Sequence, residues 1–110
     1  MIDFEKFEAQ FGMNKDDFLM FLDEFEQRLT DDLPELESLL AQLDFPKVSA
    51  AAHKLKTPAA TLGLTNLNSL FLAMETNAKS EPDIDFLKEN MKKIEEESAL
   101  FRKELNDFKS

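Results

Sequence analysis

Residues 14–44, NKDDFLMFLDEFEQRLTDDLPELESLLAQLD, decide the fold class. Phe18, Phe21, Leu22, Phe25, Leu29, Leu33, Leu36, Leu40 and Leu43 recur mostly three and four apart, the spacing at which a helix of 3.6 residues per turn gathers its side chains into one stripe. Asn14 precedes the stripe, where a short polar side chain caps a helix start by accepting from a free backbone N–H. Pro34 lies inside the seam and removes one internal hydrogen bond. The spacing therefore predicts one long helix with a bend, or two stacked helices joined at Thr30 to Asp32.

An apolar stripe of that length needs cover, and the flanking sequence supplies it in the same helical period. Upstream, Ile2, Phe4, Phe7 and Phe11 fall near helical spacing and stop at Gly12, which predicts a short amphipathic helix lying across something larger. Downstream, Asp44 is placed to cap a helix with Pro46 in its first turn, where the missing N–H is tolerated. Val48, Ala52, Leu55, Ala59 and Leu62 form its inward stripe, and Gly63 is the expected terminator. Thr65 is read as the cap of a further helix carrying Leu67, Leu70, Phe71 and Met74, which fades at NAKSEPD. The last helix begins near Asp83 and carries Leu87, Met91, Ile94, Phe101, Leu105 and Phe108. The expectation is an all-α fold, an antiparallel up-down-up-down four-helix bundle with a short N-terminal capping helix, formed as a single domain over residues 1–110.

Bulk properties limit what such a domain can do. At 110 residues it has room for one modest core, and not for a catalytic domain beside a nucleotide-binding domain. The net charge of −10 disfavours nonspecific attraction to nucleic acid or to anionic lipid. The chain has no cysteine, hence no disulfide framework and no thiolate metal site. Its first residues, MIDFEKFEAQ, mix acidic with apolar side chains and read neither as a signal peptide nor as a membrane span. A cytoplasmic monomer with no nucleic-acid or membrane partner and no metal site is expected. Most of the 11 phenylalanines sit at core spacing, although Phe4, Phe7, Phe11 and Phe18 gather where the capping helix would lie, and part of that set could form an apolar docking patch.

The only histidine, His53, borders the inward stripe of the third main helix. Ser49, His53, Lys56, Thr57 and Ala60, three and four apart, make up the neighbouring stripe and are read as its solvent-facing edge. A neutral imidazole keeps a lone pair on one ring nitrogen and is a competent nucleophile. A phosphoryl group taken there brings nearly two negative charges, which an ammonium one turn away at Lys56 would stabilise. A lone helical histidine is more often an ordinary surface residue, so position alone does not decide its role.

The segment AHKLK followed by TLGL resembles the signature of histidine-containing phosphotransfer (HPt) domains, commonly A-H-x-L-K-G with a Leu-Gly pair closing the helix. Ala52, His53, Leu55, Lys56, Leu62 and Gly63 match it in place. The resemblance implies that His53 accepts phosphate from an aspartate on a receiver domain and passes it to another. It implies receiver domains of response regulators and a hybrid histidine kinase as partners, no cofactor on this chain, and a magnesium ion carried by the receiver. Thr57, Ala60, Glu75 and Lys79 would border the site, Glu75 standing where the family often has an acidic or amide residue.

Thr57 departs from the family's glycine, and with Pro58 it makes HKLKTP similar also to the H-box of sensor histidine kinases, H-E-x-K/R-T-P. Lys54 stands where that box has an acid, and no nucleotide-binding sequence accompanies it, which favours a stoichiometric phosphocarrier over a kinase. Two rivals remain open at this stage: a dimeric phosphotransferase related to the kinase dimerisation domain, and a helical adaptor in which His53 is never phosphorylated.

Overall fold

The computed structural model describes residues 2–110, and the described residues form five α-helices and no strand. These are α1 (Phe4–Phe11), α2 (Lys15–Ala41), α3 (Phe45–Thr61), α4 (Thr65–Lys79) and α5 (Ile84–Lys109). Each of α2, α3 and α5 begins at the residue whose side chain suits a cap. Asn14 accepts from the Asp17 N–H, Asp44 from Lys47, and Asp83 from Asp85 and Phe86, so free N–H groups of the first turn find an oxygen. The start of α4 differs from expectation. Leu64 is its N-cap and gives no side-chain bond, while Thr65 is already helical and points its hydroxyl back to the Gly63 carbonyl at 3.4 Å.

Pro34 does not split α2, which runs unbroken for 27 residues. The carbonyl of Thr30 loses its in-helix donor there, but Leu29, Leu33 and Leu36 are buried on both sides of the proline. Burial of that stripe outweighs one missing bond, since each fully buried leucine is worth about 2 kcal/mol. Pro58 is passed in the same way inside α3.

Neighbours in sequence pack together, α2 on α3, α3 on α4 and α4 on α5, and α5 returns to α2. The enclosed core contains Phe18, Leu22, Phe25, Leu29, Leu36, Val48, Leu55, Phe71, Leu87, Ile94 and Leu105. Helix α1 lies on α2 through Phe7, whose ring is 4.4 Å from that of Phe18, and Phe108 of α5 meets Phe18 edge-on at 5.8 Å. Phe21, read as part of the seam, sits at its margin instead, half exposed and 6.4 Å from the Phe7 ring.

Leu43 is the second departure from the expected seam. The helix has ended at Gln42, and Leu43 takes a left-handed φ of 57° with 55% of its surface exposed. Its N–H bonds to Leu40 and that of Asp44 to Leu39, the paired bonds of a left-handed helix stop that turn the chain into α3. Gly63 makes the same stop after α3 at φ 75°, with Leu64 bonded to Ala59 and Gly63 to Ala60. Two identical turns thus carry a glycine in one case and a leucine in the other, and a Cβ in this region costs about 1 kcal/mol. Leu43→Gly is expected to raise the urea midpoint by an amount equivalent to about 1 kcal/mol, and Gly63→Ala to lower it comparably although its new methyl would meet nothing within 4 Å.

Candidate functional site

Helices α3 and α4 share the most extensive contact of any two helices among the described residues, and the only histidine of the sequence sits on α3. Ala52 and Ala59 of α3 are fully buried in the core. His53, on the outer side of α3, has 60% of its side chain exposed. Its Nδ1 lies 2.6 Å from Oε2 of Glu75 on α4, and Lys56 Nζ lies 2.7 Å from the other oxygen, Oε1. One carboxylate therefore ties together two groups one turn apart on the neighbouring helix.

The carboxyl of Glu75 is held below its ordinary value of 4.5, first by the Lys56 ammonium bonded to it. Partial desolvation pulls the other way, and the bond to His53 adds to the lowering. An ionised carboxylate only accepts, so the proton between Glu75 and a neutral His53 must sit on Nδ1. The lone pair is then on Nε2, at the outer edge of the ring. An imidazole with one nitrogen held by an acceptor and the lone pair on the other is able to act as a nucleophile.

Among the residues expected at the border, Glu75 is at the centre. Thr57 and Ala60 are exposed on the same side of α3, one and two turns beyond His53, and leave a low-relief surface there. Lys79 is the exposed last residue of α4, one turn past Glu75, and no hydrogen bond or ion pair joins it to the other three among the described residues. Ser49 corrects the expected solvent-facing edge: it is 8% exposed, turned into the α3/α4 seam, with its hydroxyl donating to the Glu75 carbonyl at 3.1 Å. The period places Ser49 and His53 on adjacent rows, and only the direction of the partner helix decides which row is covered.

Thr57 also begins an apolar trough of about 450 Å³ that runs between α1, α2 and α3. Phe11, Met13, Phe21, Pro58 and Leu62 form its walls, and Glu24 and Arg28 stand at its polar margin. Phe4, Phe7 and Phe18, which sequence had grouped with Phe11, divide accordingly: Phe7 and Phe18 are buried, Phe4 is half-buried and Phe11 is exposed. Charge is uneven too, because residues 45–80 hold Lys47, Lys54, Lys56 and Lys79 against the single acid Glu75 in a chain of net charge −10. Among the described residues no group of three or more His, Asp or Glu side chains is arranged to hold a metal ion, and no helix is long and apolar enough to cross a membrane.

The lowered Glu75 carboxyl carries a pH signature. A group that titrates lower when folded stabilises the fold above its unfolded value and loses that contribution as pH falls through the folded one. Glu75→Gln is expected to reduce stability at neutral pH and to flatten the decline that the parent shows below about pH 4.5, as followed by urea unfolding across that range.

A family model described as the Hpt domain matches residues 20–107, from α2 to near the end of α5, whereas no curated protein and no solved structure matches the chain. With four-fifths of its length matched, the chain belongs to the Hpt family, the histidine-containing phosphotransfer domains of two-component phosphorelays.

Proposed function

We propose that this protein is a phosphorelay intermediate in which Nε2 of His53 carries the phosphoryl group between aspartates of receiver domains. The observation that carries the reading is the Glu75 carboxylate at 2.6 Å from Nδ1, which leaves Nε2 as the open nucleophile on a 60% exposed ring. In the forward step the Nε2 lone pair attacks phosphorus of an aspartyl phosphate, the P–O bond breaks, and its electron pair leaves with the receiver's carboxylate. No proton has to move. Nδ1 keeps its hydrogen, the ring becomes an imidazolium, and Glu75 faces that new positive charge. The return step reverses each bond change.

Lys56 serves this scheme twice. Bonded to Glu75 it keeps the carboxylate ionised, and from one turn away its flexible stem can carry the ammonium toward the incoming dianion. The receiver brings the magnesium ion that shields the transferring group, so this chain acts as a stoichiometric carrier.

The docking face, in the same reading, is the low surface of Thr57 and Ala60 continued by the trough at Phe11, Phe21 and Pro58. Apolar contact beside the reacting atoms would exclude water, and Lys54 and Lys79 at the periphery favour an acidic partner surface. Its partners are receivers of response regulators and of a hybrid histidine kinase, met in the cytoplasm by a monomer. The helices then form an up-down-up-down four-helix bundle with α1 across one end, a rigid mount for a site that must match several partners.

Incubation with receivers phosphorylated by acetyl phosphate is expected to give acid-labile, base-stable label on the protein. His53→Gln should abolish it, and Lys56→Ala should slow transfer about tenfold or more, the worth of one charged hydrogen bond. Label persisting in the His53 variant would remove the histidine from the scheme, and no label from any receiver would leave a helical adaptor.

A further inference from the structure

Helix α4 has no side-chain cap at its start, and the face it buries, Leu67, Phe71, Met74 and Ala78, is apolar. Apolar burial is non-directional and does not by itself fix how far a helix slides along its neighbours. Hydrogen bonds do, because they fail within a fraction of an ångström or a few tens of degrees. Two buried side chains make such bonds to the backbone of α4. Ser49 of α3, 8% exposed, donates to the Glu75 carbonyl at 3.1 Å. Asn90 of α5, 6% exposed, donates to the Leu70 carbonyl at 2.8 Å. The two bonds reach α4 from both of its neighbours, five residues or about 7.5 Å apart along its axis.

Each bond is unusual for its residue. A serine within a helix commonly turns its hydroxyl back to a carbonyl of the preceding turn, whereas Ser49 reaches a carbonyl 26 residues away. Asn90 is a polar residue in the mostly apolar buried stripe of α5, beside Leu87, Met91 and Ile94, and unlike the buried Ser98 hydroxyl of the same helix it has a partner. Placing these groups in a core stabilises little in net terms, but leaving them unpaired would be costly, so they select one register for α4.

We propose that Ser49 is a positioning residue of the phosphotransfer site, acting with Asn90 as a clamp that fixes α4 along its axis so that Glu75 reaches both His53 and Lys56. A slide of one residue's rise, about 1.5 Å, across contacts of 2.6 and 2.7 Å would stretch them to about 3.0 and 3.1 Å, weakening both, and a slide of one turn, about 5.4 Å, would break them. Ser49 sits one turn before His53, on the same backbone whose carbonyl partner bears the Glu75 side chain, so it acts at the residue that matters. For its consequence the inference rests on the phosphotransfer reading, but the measurement does not.

Because the chain has one histidine, its ring nitrogens give a single, unambiguous set of ¹⁵N signals. These are to be recorded at about pH 8.5, on the alkaline side of the reference imidazole value, for the parent, Ser49→Ala, Asn90→Leu, Glu75→Ala, and Ser49→Ala in the Glu75→Ala background. The clamp predicts that Ser49→Ala and Asn90→Leu both raise the fraction of ring carrying its proton on Nε2, by a twofold to roughly tenfold change in the tautomer ratio. Phosphoryl uptake from a phosphorylated receiver should slow by a similar factor. In the Glu75→Ala background the serine substitution should change nothing further, since its effect passes through that carboxylate.

Alanine preserves the small size of Ser49, and leucine preserves the bulk of Asn90, so a purely packing role leaves the tautomer ratio at the parent value in both variants. That result overturns the clamp, as does a serine effect that survives without Glu75. A tautomer shift in chains that accept no phosphoryl group from any receiver would keep the clamp and reject the transfer function.

Discussion

The carboxylate of Glu75 is the constraint on which the site depends. It is shared between an imidazole and an ammonium one turn apart on the facing helix, at 2.6 and 2.7 Å. Each partner alone would be an ordinary surface ion pair, worth little after solvent screening. Together they make a three-group network in which the lysine keeps the acceptor charged and the acceptor orients the ring. The proposed chemistry asks of this chain one nitrogen held and one left open, a demand that two packed helices can meet. The demand falls on helix placement instead: α3 and α4 must stand at one separation and one register.

The rest of the fold serves that placement. Four side-chain caps and three left-handed turns fix where helices begin and end, and α4 packs extensively on α3. The core spans both prolines without a break. Around the histidine the surface is kept low and short-chained, while an apolar trough opens one turn further along. Helix α1 contributes Phe7 and Phe11 to that trough, and it lies outside residues 20–107 matched by the family. Helix α1 thus shapes the apolar ground beside the histidine from outside the matched residues.

Much of this was legible in the chain. The seam from Phe18 to Leu40 declares a long helix because period and burial coincide, and Asn14, Asp44, Asp83, Gly12 and Gly63 mark ends through local backbone chemistry. His53 and Lys56 are legible as a motif. What could not be read is whatever depends on rotation between helices. Leu43 continues the period of the seam, yet the chain has already turned, since a left-handed stop can be built on leucine at a modest cost. Thr65 has a capping side chain but lies one residue inside the helix. Ser49 belongs by spacing to the outer row and is covered only because α4 packs on that flank. Glu75 looks like a border residue until the fold brings it across 22 positions to the imidazole. Its signal in the sequence was that it is the only acid in residues 45–80, among four lysines and the histidine.

The most direct test of the account is where the phosphorus sits on the ring. Proton–nitrogen and phosphorus NMR of the ¹⁵N-labelled protein, after phosphoryl uptake from a receiver, distinguishes the two nitrogens of its single histidine. The account predicts phosphorus on Nε2 with Nδ1 still protonated toward Glu75. Phosphorus on Nδ1 would contradict it, because that nitrogen is the one the carboxylate already occupies.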